Sequence, residues 1–278
     1  MSRANMPEGH RVRSLAVVFA CFTTSCGGGA PLLHPAHVLP SGHVSAGAGV
    51  SGQFAFHGPT SGPPEQHTFE DAIARAALSP GIAPWASARA GLGGQFEAGL
   101  AYTGRSVRAD ARRAFAGDST ALSVGAAASA VFSDPRDLAD APSTTSGRIP
   151  PTGGDLHATG YGFDVPILFG WRSTASVVQA WAGARGGVER LDGDLPLAPA
   201  REAPAPSATF STTRWYGGGL VGAAVGLSPV LVAVELDVAY QSVSGRASFP
   251  AELGDPARRD GSVHGLTLAP AGAIIGKF

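Results

Sequence analysis

Cysteine and methionine are almost missing, with two of each in 278 residues. Both cysteines, Cys21 and Cys26, lie near the start, so a chain processed there can hold no internal disulfide. Charge is scarce as well. Only 15% of residues are charged, against ~25% in ordinary soluble domains. A formal net charge of −1 gives no basic footprint for nucleic acid. No apolar run reaches the ~18 residues of a membrane-crossing helix. The eight histidines lack cysteine partners in zinc-ligand spacing. The Gly-rich runs at 27–29, 91–94 and 217–219 lack the Lys-Ser/Thr of a phosphate loop. His34 and His37 have no third ligand nearby in sequence. Neither a metal nor a cofactor is therefore expected.

What is present begins with a leader. Arg3, Arg11 and Arg13 precede a short apolar stretch, Leu15 to Phe22, and then Thr23-Thr24-Ser25-Cys26. This is the layout of an export signal over 1–25. It is similar to a bacterial lipoprotein signal, which implies that Cys26 becomes a lipidated first residue. Thr23 departs from the usual leucine there. Ordinary cleavage near Gly27–Ala30 is the other reading. Losing a leader of charge +2 takes the chain from −1 to −3. Residues 26–40 are Gly, Pro, His and Leu without periodicity and read as a periplasmic tether.

From about residue 41 the dominant pattern has a period of two. In 161–172 the apolar residues are Tyr161, Phe163, Val165, Ile167, Phe169 and Trp171; Gly162, Asp164 and Gly170 alternate with them. Similar alternation predicts ten strands, at about 43–56, 85–92, 95–103, 106–115, 120–132, 161–172, 175–189, 213–227, 230–243 and 263–278. The strand at 213–227 is Gly-rich and its facing is ambiguous. Gly93-Gly94 signals a tight turn. A short helical pattern, Phe69 to Leu78, sits inside the first long connection.

Long connections fall at 57–84, 133–156, 190–212 and 245–262; the remaining links are short. If the first is extracellular, every long one is, and both chain ends lie on the short-turn side. That asymmetry and an even strand number are features of a closed antiparallel transmembrane β-barrel. Closure is required because lipid offers backbone groups no partners. The apolar faces would then point outward. Phe54, Phe56, Tyr102, Phe132, Tyr161 and Tyr240 fall toward one rim, and Phe96, Phe115, Trp171 and Phe278 toward the other. Arg113 lies on the apolar face near its end, where a charge is cheap.

The segments GFDVPILFGWR, AWAGARGGVE and VAVELDVAYQ, with a last strand ending in Phe278, resemble small OmpA-like bacterial outer-membrane β-barrel proteins. The resemblance covers about 41–278. It implies an outer-membrane location, contact with outer-membrane lipid, and Phe278 as an assembly signal read by the barrel-insertion machinery. It implies no single function.

The polar faces collect Arg89, Glu97, Arg108, Asp110, Arg112, Asp164, Arg185, Glu189, Glu235 and Asp237. Inside a narrow barrel these charges must pair or stay hydrated. Glu235 and Asp237 are expected to reach lumen arginines, Arg185 or Arg89 first. The expected function is a non-enzymatic outer-membrane barrel, structural or weakly pore-forming, with ion pairs filling the lumen. The alternative is a soluble periplasmic or surface β-sandwich lipoprotein that binds a partner through its loops, with its Val/Phe face buried. An outer-membrane hydrolase is a third reading. It would draw on Asp155, His157, Ser262 and His264, whose geometry the sequence does not fix; no catalytic residue is assigned.

Overall fold

The computed structural model describes residues 28–56, 76–133, 157–196, 207–249 and 258–278. The leader and Cys26 lie outside these residues. Ten strands follow in chain order: β1 (Val44–Phe56), β2 (Gly81–Gly93), β3 (Phe96–Tyr102), β4 (Ser106–Ala116), β5 (Thr120–Ser133), β6 (His157–Arg172), β7 (Val178–Pro196), β8 (Ser207–Leu227), β9 (Val230–Ser248) and β10 (Arg258–Lys277). Each pairs antiparallel with its sequence neighbours, and β1 pairs β10, so the sheet closes. At the seam, Val44 N–H donates to the Phe278 carbonyl at 2.9 Å and Phe278 N–H donates to the Val44 carbonyl at 2.8 Å.

The period-two pattern explains the orientation. Val50, Phe54, Leu100, Phe163, Ile167, Val232, Val234 and Ile274 are exposed on the outside of the wall. Their sequence neighbours Ser51, Gln53, Asp164, Leu168, Ala233 and Glu235 are buried inside. The β-sandwich alternative is thereby corrected: the Val/Phe face is not buried, and among the described residues no second sheet covers it. Arg113 on the outer face lies over the rings of Phe96 and Phe115, 5.4 and 5.0 Å from their centroids. This cation–π contact is a placement suited to the edge of an apolar band.

Several strands are longer than their sequence pattern. β2 begins at Gly81 rather than about 85, and β7, β8 and β9 run 19, 21 and 19 residues. The added stretches, such as 190–196 and 207–212, carry Pro, Thr and Asp, which hide a strand from hydropathy reading. The wall is thus tall along β7–β10 and low at β3, which has seven residues. The β2–β3 turn is Gly94-Gln95, with φ of 58° and 65°. Both central residues are left-handed, as a type I′ hairpin requires, although only the first is glycine. A bulge between Gly91 and Gly93 puts Leu92 out of register at the end of β2.

The tether reading of 26–40 is corrected over its described part. Residues 28–40 do not hang free; they run inside the barrel, with Leu32, Leu33, His34, Ala36 and His37 buried. Gly28 N–H donates to the Ser79 carbonyl at 3.0 Å and Gly29 N–H to the Gly52 carbonyl at 3.1 Å. From there the chain descends the lumen to the rim where β1 starts. The physical reason is that the wall makes room. A Cβ on Gly170 would stand 2.8 Å from the Ala36 Cβ, and one on Gly91 would collide with the Pro40 carbonyl oxygen.

A second inward piece comes from the first long connection. Ala76, Ala77 and Leu78 form a helical turn that is fully or nearly buried. It packs against Val131, Ala158, Leu191, Ala208, Phe210, Val243, Ala247 and Val263. The helical pattern proposed for 69–78 is described only over these last three residues.

Candidate functional site

The inward faces of β2, β3, β4, β6 and β7 build one continuous chain of charges. Arg112 Nη2 donates to Glu97 at 2.8 Å, and Arg89 Nε donates to the same carboxylate oxygen. Arg89 also bonds Asp110, at 2.5 Å. Arg108 then links Asp110 at 2.8 Å to Asp164 at 2.9 Å. Arg185 closes the series on Asp164 with two bonds of 3.0 Å. The signs alternate from Arg112 to Arg185, which is the arrangement that lets desolvated charges coexist. Geometry supports it: Gly99 faces Arg89, and a Cβ there would meet the guanidinium at 2.6 Å.

Higher in the lumen sits a second cluster. Arg105 and Arg214 both donate to Glu189 Oε2, at 2.8 and 3.0 Å. Both also donate to the Ala77 carbonyl, at 2.8 and 3.0 Å. Gln53 donates to the Leu78 carbonyl at 2.7 Å. The carbonyls at the end of a helical turn have no partners of their own, and cations suit that end. The inward turn is thus pinned by polar contacts as well as by its apolar packing.

The descending segment is gripped through its main chain. Leu32 and Leu33 N–H donate to the two oxygens of Glu235, at 2.7 and 2.9 Å. The Trp181 indole adds a third bond to that carboxylate at 2.9 Å. Gly222 opposite leaves room for this ring, since a Cβ there would collide with it. Arg185 donates to the Ala30 carbonyl. Arg112 donates to the carbonyls of Pro35 at 2.5 Å and His37 at 3.3 Å. Leu39 N–H donates to Glu97 at 2.8 Å. Arg112 Nη1 lies 2.8 Å from His34 Nδ1. A guanidinium can only donate, so this nitrogen accepts and the proton sits on Nε2. Burial, with Arg112 beside it, holds the His34 imidazole well below its usual range. The apolar side chains of the segment fill the space under Trp85, Leu168, Trp181, Leu220 and Ala233.

Each charge named from the sequence lies on the inner face, and the structure adds more. Arg89, Glu97, Arg108, Asp110, Arg112, Asp164 and Arg185 form the first cluster, and Glu189 anchors the second. Glu235 corrects an expectation: it faces inward but bonds the backbone of residues 32 and 33, not an arginine. Asp237 also faces inward, half-buried, in the field of Arg185 and Arg214 and, among the described residues, without a close ion pair. Sequence reading missed Arg105, Arg214 and Tyr216. Arg105 falls in the short link between the strands expected at 95–103 and 106–115. Arg214 and Tyr216 sit on β8, where glycines on both faces hide the alternation; the Arg214 guanidinium lies 4.9 Å from the Tyr216 ring centroid.

The hydrolase residues do not assemble among the described residues. Ser262 and His264 are exposed, on the outer face of β10. The His264 ring stacks on Tyr240 at 6.4 Å. Asp155 and the side chain of His157 lie outside the described residues. Among the described residues no three His, Cys, Asp or Glu side chains gather as metal ligands.

Fold and site together define a closed ten-stranded antiparallel barrel with an apolar exterior and a charged, filled interior. No protein-family model matches the chain, and no curated protein matches it. Among solved structures it is similar to a major outer membrane protein from Thermus thermophilus, at 12% identity over 84% of this chain and 99% of that one, TM-score 0.39. Neisserial surface protein A gives 15% identity over 85% and 96%, TM-score 0.30. The outer membrane protease OmpT from Escherichia coli gives 8% over 87% and 100%, TM-score 0.33. At these scores the likenesses add no weight to what the strand pairing already shows.

Proposed function

We propose that this chain is a non-enzymatic outer-membrane barrel, structural in role, whose lumen is closed by its own residues 28–40 and by the turn at 76–78. The observation that carries the reading is the pairing of an apolar exterior with an interior whose charges are all turned inward. Six arginines (89, 105, 108, 112, 185, 214) face six carboxylates (97, 110, 164, 189, 235, 237) across the described lumen. A soluble protein would not expose Phe163, Ile167, Phe169, Val232 and Val234 in one band. In a bilayer that band meets lipid, and the aromatic rims meet the two interfaces. The ion pairs are then the wall that holds an inserted segment, rather than a plug in themselves. Purified protein in planar bilayers should show little or no steady conductance, and it should migrate differently on gels before and after heating. Large, steady conductance would favour the weak-pore reading; detergent-free solubility would overturn the membrane location.

Residues 1–25 act as the export signal in this reading, and Phe278 as the signal to the insertion machinery. Lipidation of Cys26 competes with the observed packing. Gly28 is buried in the lumen, and two residues span at most ~7 Å. A lipid on Cys26 would therefore have to draw residues 28–30 out of their contacts. Intact-mass measurement of the mature N-terminus decides between a lipidated Cys26 and simple cleavage.

A further inference from the structure

At the rim where β1 begins and β10 ends, a pocket of about 200 Å³ opens between residues 37–40 and the ends of β6, β7, β9 and β10. Its polar lining is His37, Arg172, Ser176, Gln179, Ser228 and Lys277. We propose that this pocket is a binding site for a small phosphate-type oxyanion, held by Arg172, Lys277 and His37.

The cations of this pocket lack carboxylate partners among the described residues. In the two clusters above, each cation has a carboxylate. Arg172 Nε reaches only the Asp118 main-chain carbonyl, at 3.3 Å. Lys277 Nζ reaches only the Gln179 amide oxygen, at 3.4 Å. The carboxylate whose field reaches Lys277 is Glu97, and its oxygens already serve Arg89, Arg112 and Leu39. His37 is only 7% exposed, and neither ring nitrogen has a partner. Its backbone is fixed from the opposite side by Arg112, so the ring is held in place against the pocket. A buried unpaired polar group is costly, and an anion accepting from the imidazole N–H would remove that cost. Burial first, then Arg172 and Lys277, lower this imidazole to about 4. The ring is therefore neutral near pH 7 and can donate from one nitrogen.

Chemistry narrows the ligand. Three donor side chains line one pocket and lie within one another's field, which suits a group with several acceptor oxygens. Drug-sized ligands need ~300–1,000 Å³, so the ligand is smaller: inorganic phosphate or a phosphomonoester with a few carbons. Leu231 and Pro229 supply an apolar side for those carbons. The same chemistry could come from a free ester or from a lipid headgroup.

The test uses the full chain, folded in a neutral detergent. Inorganic phosphate and glycerol 3-phosphate are titrated by calorimetry, with the His37 ring signals followed by NMR. The expected result is saturable binding that moves the His37 signals. Arg172→Gln and Lys277→Gln should each weaken it ~10-fold or more, the loss of one charge-assisted bond. Arg246→Gln removes an equal charge at the other rim and should leave it unchanged. Heat-modifiable migration checks that each variant is folded. Competition by phosphatidic acid in phosphatidylcholine vesicles would assign the lipid source; its failure would assign the soluble one. No saturable binding to folded protein, or equal weakening by Arg246→Gln, would overturn the site.

Discussion

Two inward pieces fill this barrel, and apolar packing and backbone contacts are weighted differently in them. The turn at 76–78 is held mainly by apolar packing: Leu78 and two alanines lie in a cluster with eight wall residues, and Arg105, Arg214 and Gln53 bond its carbonyls. The segment at 28–40 is recognised largely by its backbone: Glu235, Glu97, Arg112 and Arg185 all bond main-chain groups. A side-chain grip constrains sequence, and a backbone grip barely does. The first piece should therefore be sensitive to truncating its own residues. The second should be sensitive to changing the wall.

The largest effect is expected in the charge network behind the lower segment. Asp164→Ala removes the carboxylate paired with Arg185 and leaves Arg108 with Asp110 alone, and loss of one partner of a buried pair costs ~3–5 kcal/mol. Urea unfolding in detergent measures it. A loss no greater than that of the exposed pair Arg246–Asp260, ~0–1 kcal/mol, would show that the network is dispensable. Next is the upper piece. Leu78→Ala should cost ~2–5 kcal/mol as a buried leucine truncation, read in the same unfolding series. Equal tolerance of Leu78→Ala and of exposed Leu92→Ala would erase the contrast.

The lower piece should answer to Glu235 instead. Glu235→Ala removes the acceptor of two amides and one indole, at ~1–3 kcal/mol for groups left unsatisfied. The expected readout is local: protease cleavage within 28–40 with the barrel still heat-modifiable. Global unfolding without prior cleavage would mean that the segment and wall are a single unit.

The smallest effect is on pH. His34 and His37 are held below their ordinary values by burial, with neighbouring arginines adding to it. A group whose folded value is lowered binds its proton less readily when folded, so acid favours release. For His37 the stabilisation is complete above the unfolded value of ~6.5. It is lost as pH falls from there toward about 4. Protease access to 28–40 should thus rise on acidification over that window. His34→Gln with His37→Gln should flatten the curve, and an unchanged curve would remove the histidines from the account.

The same contrast explains what could be read in advance. Strand number, closure and facing follow from alternation, because one face meets an apolar medium and the other does not. Phe163 beside Asp164 and Val234 beside Glu235 state that directly. Glu97, Asp164 and Arg185 were legible for the same reason: away from the strand ends, where Arg113 sits, a charge facing the apolar medium is costly. β8 was harder because glycines on both faces remove the contrast, and with it Arg214 and Tyr216. The inserted segment was not legible at all. Its fixing atoms are the amides of Leu32, Leu33 and Leu39 and the carbonyls of Ala30, Pro35 and His37, which every sequence has. A run of Gly, Pro, His and Leu looks the same in water and inside a barrel.

The central claim is that residues 28–40 are built into the lumen. Hydrogen exchange on the folded protein in lipid tests it most directly, at the amides of Leu32 and Leu33. The account predicts protection comparable to that of the β9 strand amides, collapsing toward that of a free peptide in Glu235→Ala. Exchange within seconds in the unaltered protein, at the rate of an unstructured tether, would contradict it.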